Sequence, residues 1–226
     1  MRNFKLPALL LSIVFTLSAC ATDEYGNKRE MTNTEKGAIF GATLGALAGM
    51  TTRDKSSNAI LYGIVGGLAG GGVGAYMDSQ QKDFQKNLKA EIDHGDIIVE
   101  RLPHDALLVT MSSETSFDIN STVIKPGFRS TLDKIAAIVN KYGKTHLSLV
   151  GYTDSTGSKS YNQRLSLQRA TAIQQYFLSL NVIPQRMSVY GMGEEKPRAS
   201  NATAAGRQQN RRVEIIIEPV IAQPQQ

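Results

Sequence analysis

The sequence is poor in the residues on which catalysis and covalent cross-linking most often depend. It holds a single cysteine, Cys20, in 226 residues, so no internal disulfide can form. Its three histidines, His94, His104 and His146, are scattered. No His-x-x-x-His or Cys-x-x-Cys spacing is present to gather a metal. Ser155, Ser158 and Ser160 cluster beside Asp154, but no histidine follows to complete a nucleophilic triad. The glycine-rich run from Gly66 to Gly74 lacks the Lys-Ser or Lys-Thr ending of a phosphate loop. An enzyme would therefore lack a recognisable base, metal or nucleophile, and no cofactor is expected. The net charge of +5 is small and spread along the chain. Without a basic helix or interleaved aromatic and basic residues, nucleic acid is not an expected partner. A mild basic excess suits an anionic surface, such as lipid headgroups or cell-wall carboxylates.

What is present begins with a secretory signal. Arg2 and Lys5 form a charged start and Leu6 to Leu17 an apolar run, too short to span a membrane. The Leu17-Ser18-Ala19-Cys20 ending resembles the lipobox of bacterial lipoproteins. That resemblance implies cleavage before Cys20, diacylglycerol on its thiol and an acylated new amine. Two or more acyl chains make such an anchor stable. Ala21 stands where an Asp would signal inner-membrane retention in enterobacterial lipoproteins, so the resemblance implies the outer membrane, with the rest of the chain facing the periplasm. Residues 20–36 read as a lipidated polar tether.

Residues 37–77 carry glycines at helical spacing. Gly37, Gly41, Gly45 and Gly49 recur every fourth residue; after an interruption by Arg53, Asp54 and Lys55, so do Gly63, Gly67 and Gly71, and in a second register Gly66, Gly70 and Gly74. On a helix such rows make flat ridges where two backbones approach closely. Each glycine costs an aqueous helix about 1 kcal/mol against alanine, and an apolar setting offsets this. A helix from Ala59 to Tyr76 would be about 27 Å long, near the ~30 Å hydrocarbon core. The segment resembles the glycine-zipper hairpins of outer-membrane lipoproteins. Whether it spans the membrane, lies on it or joins copies of the chain stays open. A connector helix with a thin apolar line, Phe84 and Leu88, is expected over residues 78–94.

Residues 95–219 alternate strand and helix patterns, with a frayed tail at 220–226. Strands are expected over Ile97 to Arg101, Asp105 to Met111, His146 to Tyr152, Met187 to Tyr190 and Val213 to Ile217. Pro126 opens a helix whose stripe is Phe128, Leu132, Ile135, Val139 and Tyr142. Phe117 to Lys125 and Glu194 to Asn210 read as loops. The class is α+β, two long helices on a mixed sheet, preceded by a glycine-rich helical hairpin.

The organising stretch is Gly151 to Ala170. A strand ends, a Thr153-Asp154-Ser155-Thr156-Gly157 turn follows, and a helix runs from about Ser158 to Leu180. At about 100° per residue, Leu165, Ile173, Tyr176 and Leu180 share one stripe, with Arg169 in its middle and Asn162 on it. Gln163, Ser166 and Gln174 point elsewhere. A guanidinium on a core-facing line needs a partner. Asp154, at the strand end, is the obvious one, so a carboxylate and a guanidinium should meet at the mouth of the sheet.

The pattern Gly151-x-Thr153-Asp154-x-x-Gly157, then Asn162-x-x-Leu165-Ser166-x-x-Arg169-Ala170, resembles the OmpA-like peptidoglycan-binding domain. Phe117-Asp118 with Pro126, and Asn210-Arg211-Arg212-Val213-Glu214, fit the same family. The resemblance implies that the domain holds the diaminopimelate of the peptidoglycan stem peptide, with Asp154 on an ammonium and Arg169 on a carboxylate. Thr153 and Asn162 would add neutral hydrogen bonds, and Phe117 and Asp118 would pack or bind at the loop. Arg211 and Arg212 face opposite ways on a strand, so one of them should reach the site. The expected protein is an outer-membrane lipoprotein tied to the cell wall. The alternative is a glycine-zipper protein that organises the membrane, with the second domain as a passive anchor.

Overall fold

A computed structural model of the chain describes residue 68 and residues 72–221. The signal, Cys20, the tether and most of the glycine-rich segment lie outside the described residues. The elements are α1 (Val73–Asn87), α2 (Lys89–Asp93), β1 (Ile97–Arg101), β2 (Leu107–Ser112), α3 (Ser113–Ser116), α4 (Pro126–Lys141), β3 (Thr145–Tyr152), α5 (Lys159–Ser179), β4 (Met187–Gly191), α6 (Ala204–Asn210) and β5 (Arg212–Pro219).

The five strands form one mixed sheet in the order β1-β2-β5-β3-β4. Only β3 and β4 run parallel, joined by α5; the other pairs are antiparallel. Period-two alternation sorts the strands' side chains between two faces. Leu107, Val109, Met111, Leu147, Leu149, Val213, Ile215 and Ile217 belong to the main core, which they share with Leu132, Ile135 and Val139 of α4 and Ala170, Ile173 and Phe177 of α5. On the other face Leu108, Val150, Tyr152 and Ile216 form a smaller cluster with Leu102 and Ala106. The expected α+β class and mixed sheet are the observed ones.

The glycines of β3 and β4 bring α5 unusually close to the sheet. A Cβ on Gly151 would lie 2.0 Å from the Ser166 carbonyl oxygen, and one on Gly191 would lie 2.6 Å from the Leu167 nitrogen. Ser166 is therefore fully buried, not turned away as the wheel placed it, and its hydroxyl accepts from the Gly193 amide at 2.8 Å. The buried stripe also ends on Phe177 rather than Tyr176; Tyr176 is only partly buried and gives its hydroxyl to Asp133 at 2.8 Å.

The flanks extend three expectations. The connector helix lays its apolar line, Phe84 and Leu88, against the core of the domain and keeps its other face exposed. Its apolar line begins upstream, at Val73, and Val73, Met77, Gln80, Phe84 and Leu88 are all buried. Tyr76 packs edge-on against Tyr142 with ring centroids 5.3 Å apart, and Asp83 takes hydrogen bonds from Lys141 and Tyr142. Secondly, Leu68 forms a bridge with Ile221 and donates to the Val220 carbonyl at 2.7 Å, and α1 starts at Val73; the rest of the stretch from Ala59 to Gly71 lies outside the described residues. Thirdly, the Glu194–Asn210 loop ends in α6, capped by Thr203, whose hydroxyl accepts from Gly206. Asn210 ties that segment together, accepting from the Arg198 and Ala199 amides and donating to the Ala199 carbonyl. Among the described residues no helix is long and apolar enough to cross a membrane.

Candidate functional site

Where β3 ends and β5 begins, a cavity of about 810 Å³ opens between the turn before α5, the loop after α3 and Arg211. Asp154 heads the turn. Its Oδ1 accepts from the Thr156 amide at 2.8 Å, an Asx turn that Gly157 closes at φ +97°. Ser158 then caps α5, accepting from the Tyr161 amide. Asn162, one turn into the helix, is buried and donates to the Asp154 carbonyl at 3.2 Å and to Glu194 Oε2 at 2.8 Å. Leu165 lines the cavity one turn further along.

Arg169 is only 4% exposed, as its place on the stripe requires. Its partner is not Asp154. Nε donates to the Ser121 carbonyl at 3.0 Å and Nη2 to the Asp118 carbonyl at 3.3 Å, and the guanidinium sits 5.3 Å over the Phe117 ring. The loop is held in place for this by the Phe117–Ile124 bridge. Nη1 has no partner among the described residues. The expected direct pair is thus replaced by a pair with Arg211: Nη1 of Arg211 meets Asp154 Oδ2 at 2.6 Å, and its Nη2 bonds Glu114. The physical reason is supply. Loop carbonyls take Nε and Nη2 of Arg169, while Arg211, between α6 and β5, reaches Asp154.

Burial works to raise the Asp154 pKa, but the Arg211 hydrogen bond and the Thr156 amide outweigh it and hold it below the ordinary value. Burial also lowers the pKa of Arg169, assisted by the charge of Arg211 and opposed by Tyr161 and Asp154. For Arg211 burial acts downward, and the bonds to Asp154 and Glu114 reverse it, so its pKa is raised. Asp154 and Arg169 therefore remain charged around neutral pH and line the same cavity without pairing with each other. Thr153 lines the cavity, and its buried hydroxyl has no hydrogen-bond partner among the described residues.

The cavity gathers Phe117, Asp118, Thr153, Asp154, Asn162, Leu165, Arg169 and Arg211. Asp118 acts through its backbone; its side chain is 77% exposed and pairs with Lys125 at 3.4 Å. Arg212 is absent from this wall. It is the first residue of β5, faces the opposite side of the sheet, stacks 3.7 Å over Tyr152 and bonds Glu214 at 2.7 Å. Glu114, Ile119 and Tyr161 also line the cavity and were not foreseen. Glu114 stands 97 positions from Arg211, and no sequence spacing carries that contact.

The sheet order, the two helices on it and the cavity beyond β3 define an OmpA-like domain, and residues 116–211 match the OmpA family. Residues 1–78 match the YMGG-like Gly-zipper family. The chain belongs to the OmpA family, with the glycine zipper ahead of the OmpA domain. It is 34% identical over 216 residues to a probable lipoprotein, YiaD, of Escherichia coli K12, spanning 94% of this chain and 96% of that one. It is 39% identical over 107 residues to the outer-membrane lipoprotein YfiB of Pseudomonas aeruginosa, covering 47% of this chain and 64% of the relative. Among solved structures, the cell wall anchor of the T6SS from Pseudomonas aeruginosa is similar at a TM-score of 0.54 and 26% identity, over 60% of this chain and 96% of that one. A putative MotB-like protein from Desulfovibrio vulgaris shares the fold at a TM-score of 0.57 and 20% identity, over 67% and 98%. The named relatives place the family at the outer membrane.

Proposed function

We propose that this protein is an outer-membrane lipoprotein, anchored through Cys20 and facing the periplasm, that binds peptidoglycan without covalent chemistry. The ligand group is the diaminopimelate of the stem peptide, whose free end is a zwitterion. The observation that carries this reading is the unfilled pairing capacity on the two sides of one cavity. Arg169 keeps Nη1 free, and Asp154 has lone pairs to spare after Thr156 and Arg211 are satisfied. An ammonium on Asp154 and a carboxylate on Arg169 would complete both, as charge-assisted bonds. The relatives named outer-membrane lipoprotein and cell wall anchor support the same reading. The Gly-zipper match supports close helix packing of residues 37–77 at the membrane, which would also join copies of the chain.

Co-sedimentation of the full chain in detergent with isolated cell-wall sacculi tests it. Binding should be competed by free diaminopimelate, and less by lysine, which lacks the second carboxylate. Failure to pellet with sacculi refutes it.

A further inference from the structure

Glu114 lines the cavity, and no part of the ligand is assigned to it. It is the second residue of α3, and the fold holds it firmly. Its amide donates to the Ser112 hydroxyl at 3.2 Å, and its carbonyl accepts from Lys125 Nζ at 2.7 Å. Its carboxylate oxygen Oε2 accepts from Gln208 Nε2 of α6 at 2.7 Å. The Ser113 amide donates to the Arg211 carbonyl at 3.0 Å, which sets α3 beside the residue that leads into β5. Oε1 of Glu114 then takes Nη2 of Arg211. As a stabilising contact this pair is weak. Its side chains are 29% and 43% exposed, and exposed pairs contribute little to stability.

Its consequence lies in what it does to Arg211. That guanidinium is divided between two carboxylates: Nη1 meets Asp154 Oδ2 at 2.6 Å, and Nη2 meets Glu114. A guanidinium left to itself favours a single carboxylate, giving two parallel bonds to its two oxygens. A carboxylate offers about four lone-pair positions. On Asp154, Oδ1 accepts from the Thr156 amide at 2.8 Å and Oδ2 from one arm of Arg211, so about half of them stay open. A two-pronged pair would take a further position on Oδ1 and lay the guanidinium across the outer edge of the carboxylate. A second cation would then be kept from Asp154 both by charge and by space.

We propose that Glu114 is a positioning residue for ammonium recognition: by holding one arm of Arg211, it keeps that arginine from closing on Asp154 with both. The proposal rests on the reading of the cavity above, in which Asp154 receives the ammonium of the ligand. Glu114 acts through Arg211 and does not touch the ligand. A ligand that carries only a carboxylate goes to Arg169 and needs no opening on Asp154. Glu114 therefore sets the preference for a zwitterion over a simple carboxylate.

The test is calorimetric titration of the full chain in detergent with two probes. One is an N-acetylated stem tripeptide ending in diaminopimelate; the other is the same tripeptide with hydrogen in place of the ammonium at its free end. Glu114→Ala releases the second arm of Arg211. It should bind the first probe about tenfold more weakly, the worth of one charge-assisted bond, and the second as the wild type does. In an Arg211→Gln background, which should still bind the first probe, Glu114→Ala should change that affinity by less than about twofold. Glu114→Gln keeps the shape without the charge, and should show the same selective loss, smaller in size, if the alanine variant does not fold. Unchanged affinity for the first probe, an equal loss for both probes, a loss that persists without Arg211, or an Arg211→Gln variant that no longer binds overturns the positioning role alone. Wild-type protein that binds neither probe, or both equally, overturns the reading of the cavity and this one with it.

Discussion

Asp154→Asn separates recognition from stability at the cavity. The asparagine carbonyl can still accept from the Thr156 amide, so the Asx turn should persist. What is lost is the charge that holds Arg211. That guanidinium is 29% exposed and keeps Glu114, so water and the second carboxylate relieve it. A partly exposed pair of this kind contributes about 1 kcal/mol or less. For a domain of this size the melting midpoint should fall by about 3 °C. A ligand ammonium has no such relief, and losing a charge-assisted partner in an interface removes about 2–5 kcal/mol. Affinity for the stem peptide should therefore drop by about thirtyfold to three-thousandfold. Circular-dichroism melting and calorimetric titration on the same sample read both numbers. A variant that binds as the wild type does, or one whose midpoint collapses by ten degrees or more, refutes the reasoning and returns Asp154 to a structural role. Acid acts in the same sense. With its folded pKa below the ordinary 3.8, Asp154 stabilises the fold above the unfolded value, and this is lost as pH falls through the folded one.

Three other perturbations follow from the packing. Gly151→Ala would push a methyl to 2.0 Å from the Ser166 carbonyl oxygen, so α5 must lift from the sheet, at a cost of about 3 kcal/mol seen in urea unfolding; wild-type stability would show that the close approach is not needed. Deleting residues 72–94 strips Met77, Phe84 and Leu88 from the core, at about 1.5–3 kcal/mol each, and should leave a fragment that melts far lower or stays unfolded; a fragment starting at Gly95 as stable as the whole would overturn the role given to α1. His146 lies against Ser188 and Glu218, and burial, with the charge of Arg186, lowers its pKa from 6.5 to about 4. The unfolded chain takes the proton first, so this histidine makes stability fall by about 2 kcal/mol between pH 7 and pH 5. Glu218, pushed up by burial, acts oppositely, so the difference in urea midpoint shift between wild type and His146→Gln isolates the histidine; no difference would refute it.

The sequence reading succeeded where a pattern is local and failed where contacts cross the chain. Hydrophobic period located β1 through β5, α4 and α5 to within a few residues, because each buries one face against the same core. The wheel also put Arg169 on a buried line, which it occupies. Its true partners, the carbonyls of Asp118 and Ser121, lie 51 and 48 positions away and carry no side-chain signature. The nearest acidic side chain in sequence therefore drew the pairing that belongs to Arg211, 57 positions from Asp154. Ser166 lies off the wheel's apolar stripe, but its burial is set by the close approach of Gly151, which no angle on the helix encodes. The helix α6 was hidden in a composition typical of loops, and α1 was cut short by starting the count at Asp78, one residue after the buried Met77.

The strand order has a consequence for when the protein becomes competent. The last strand in sequence, β5, lies in the middle of the sheet, between β2 and β3. Until it arrives, β1–β2 and β3–β4 are two separate pairs with no ladder between them. Arg211, which lines the cavity beside Asp154, directly precedes that strand. A chain clipped before Arg211 therefore has neither a continuous sheet nor a complete cavity wall. On the proposed reading, tight binding of a ligand would therefore be a property of the whole domain and not of a chain that ends before β5.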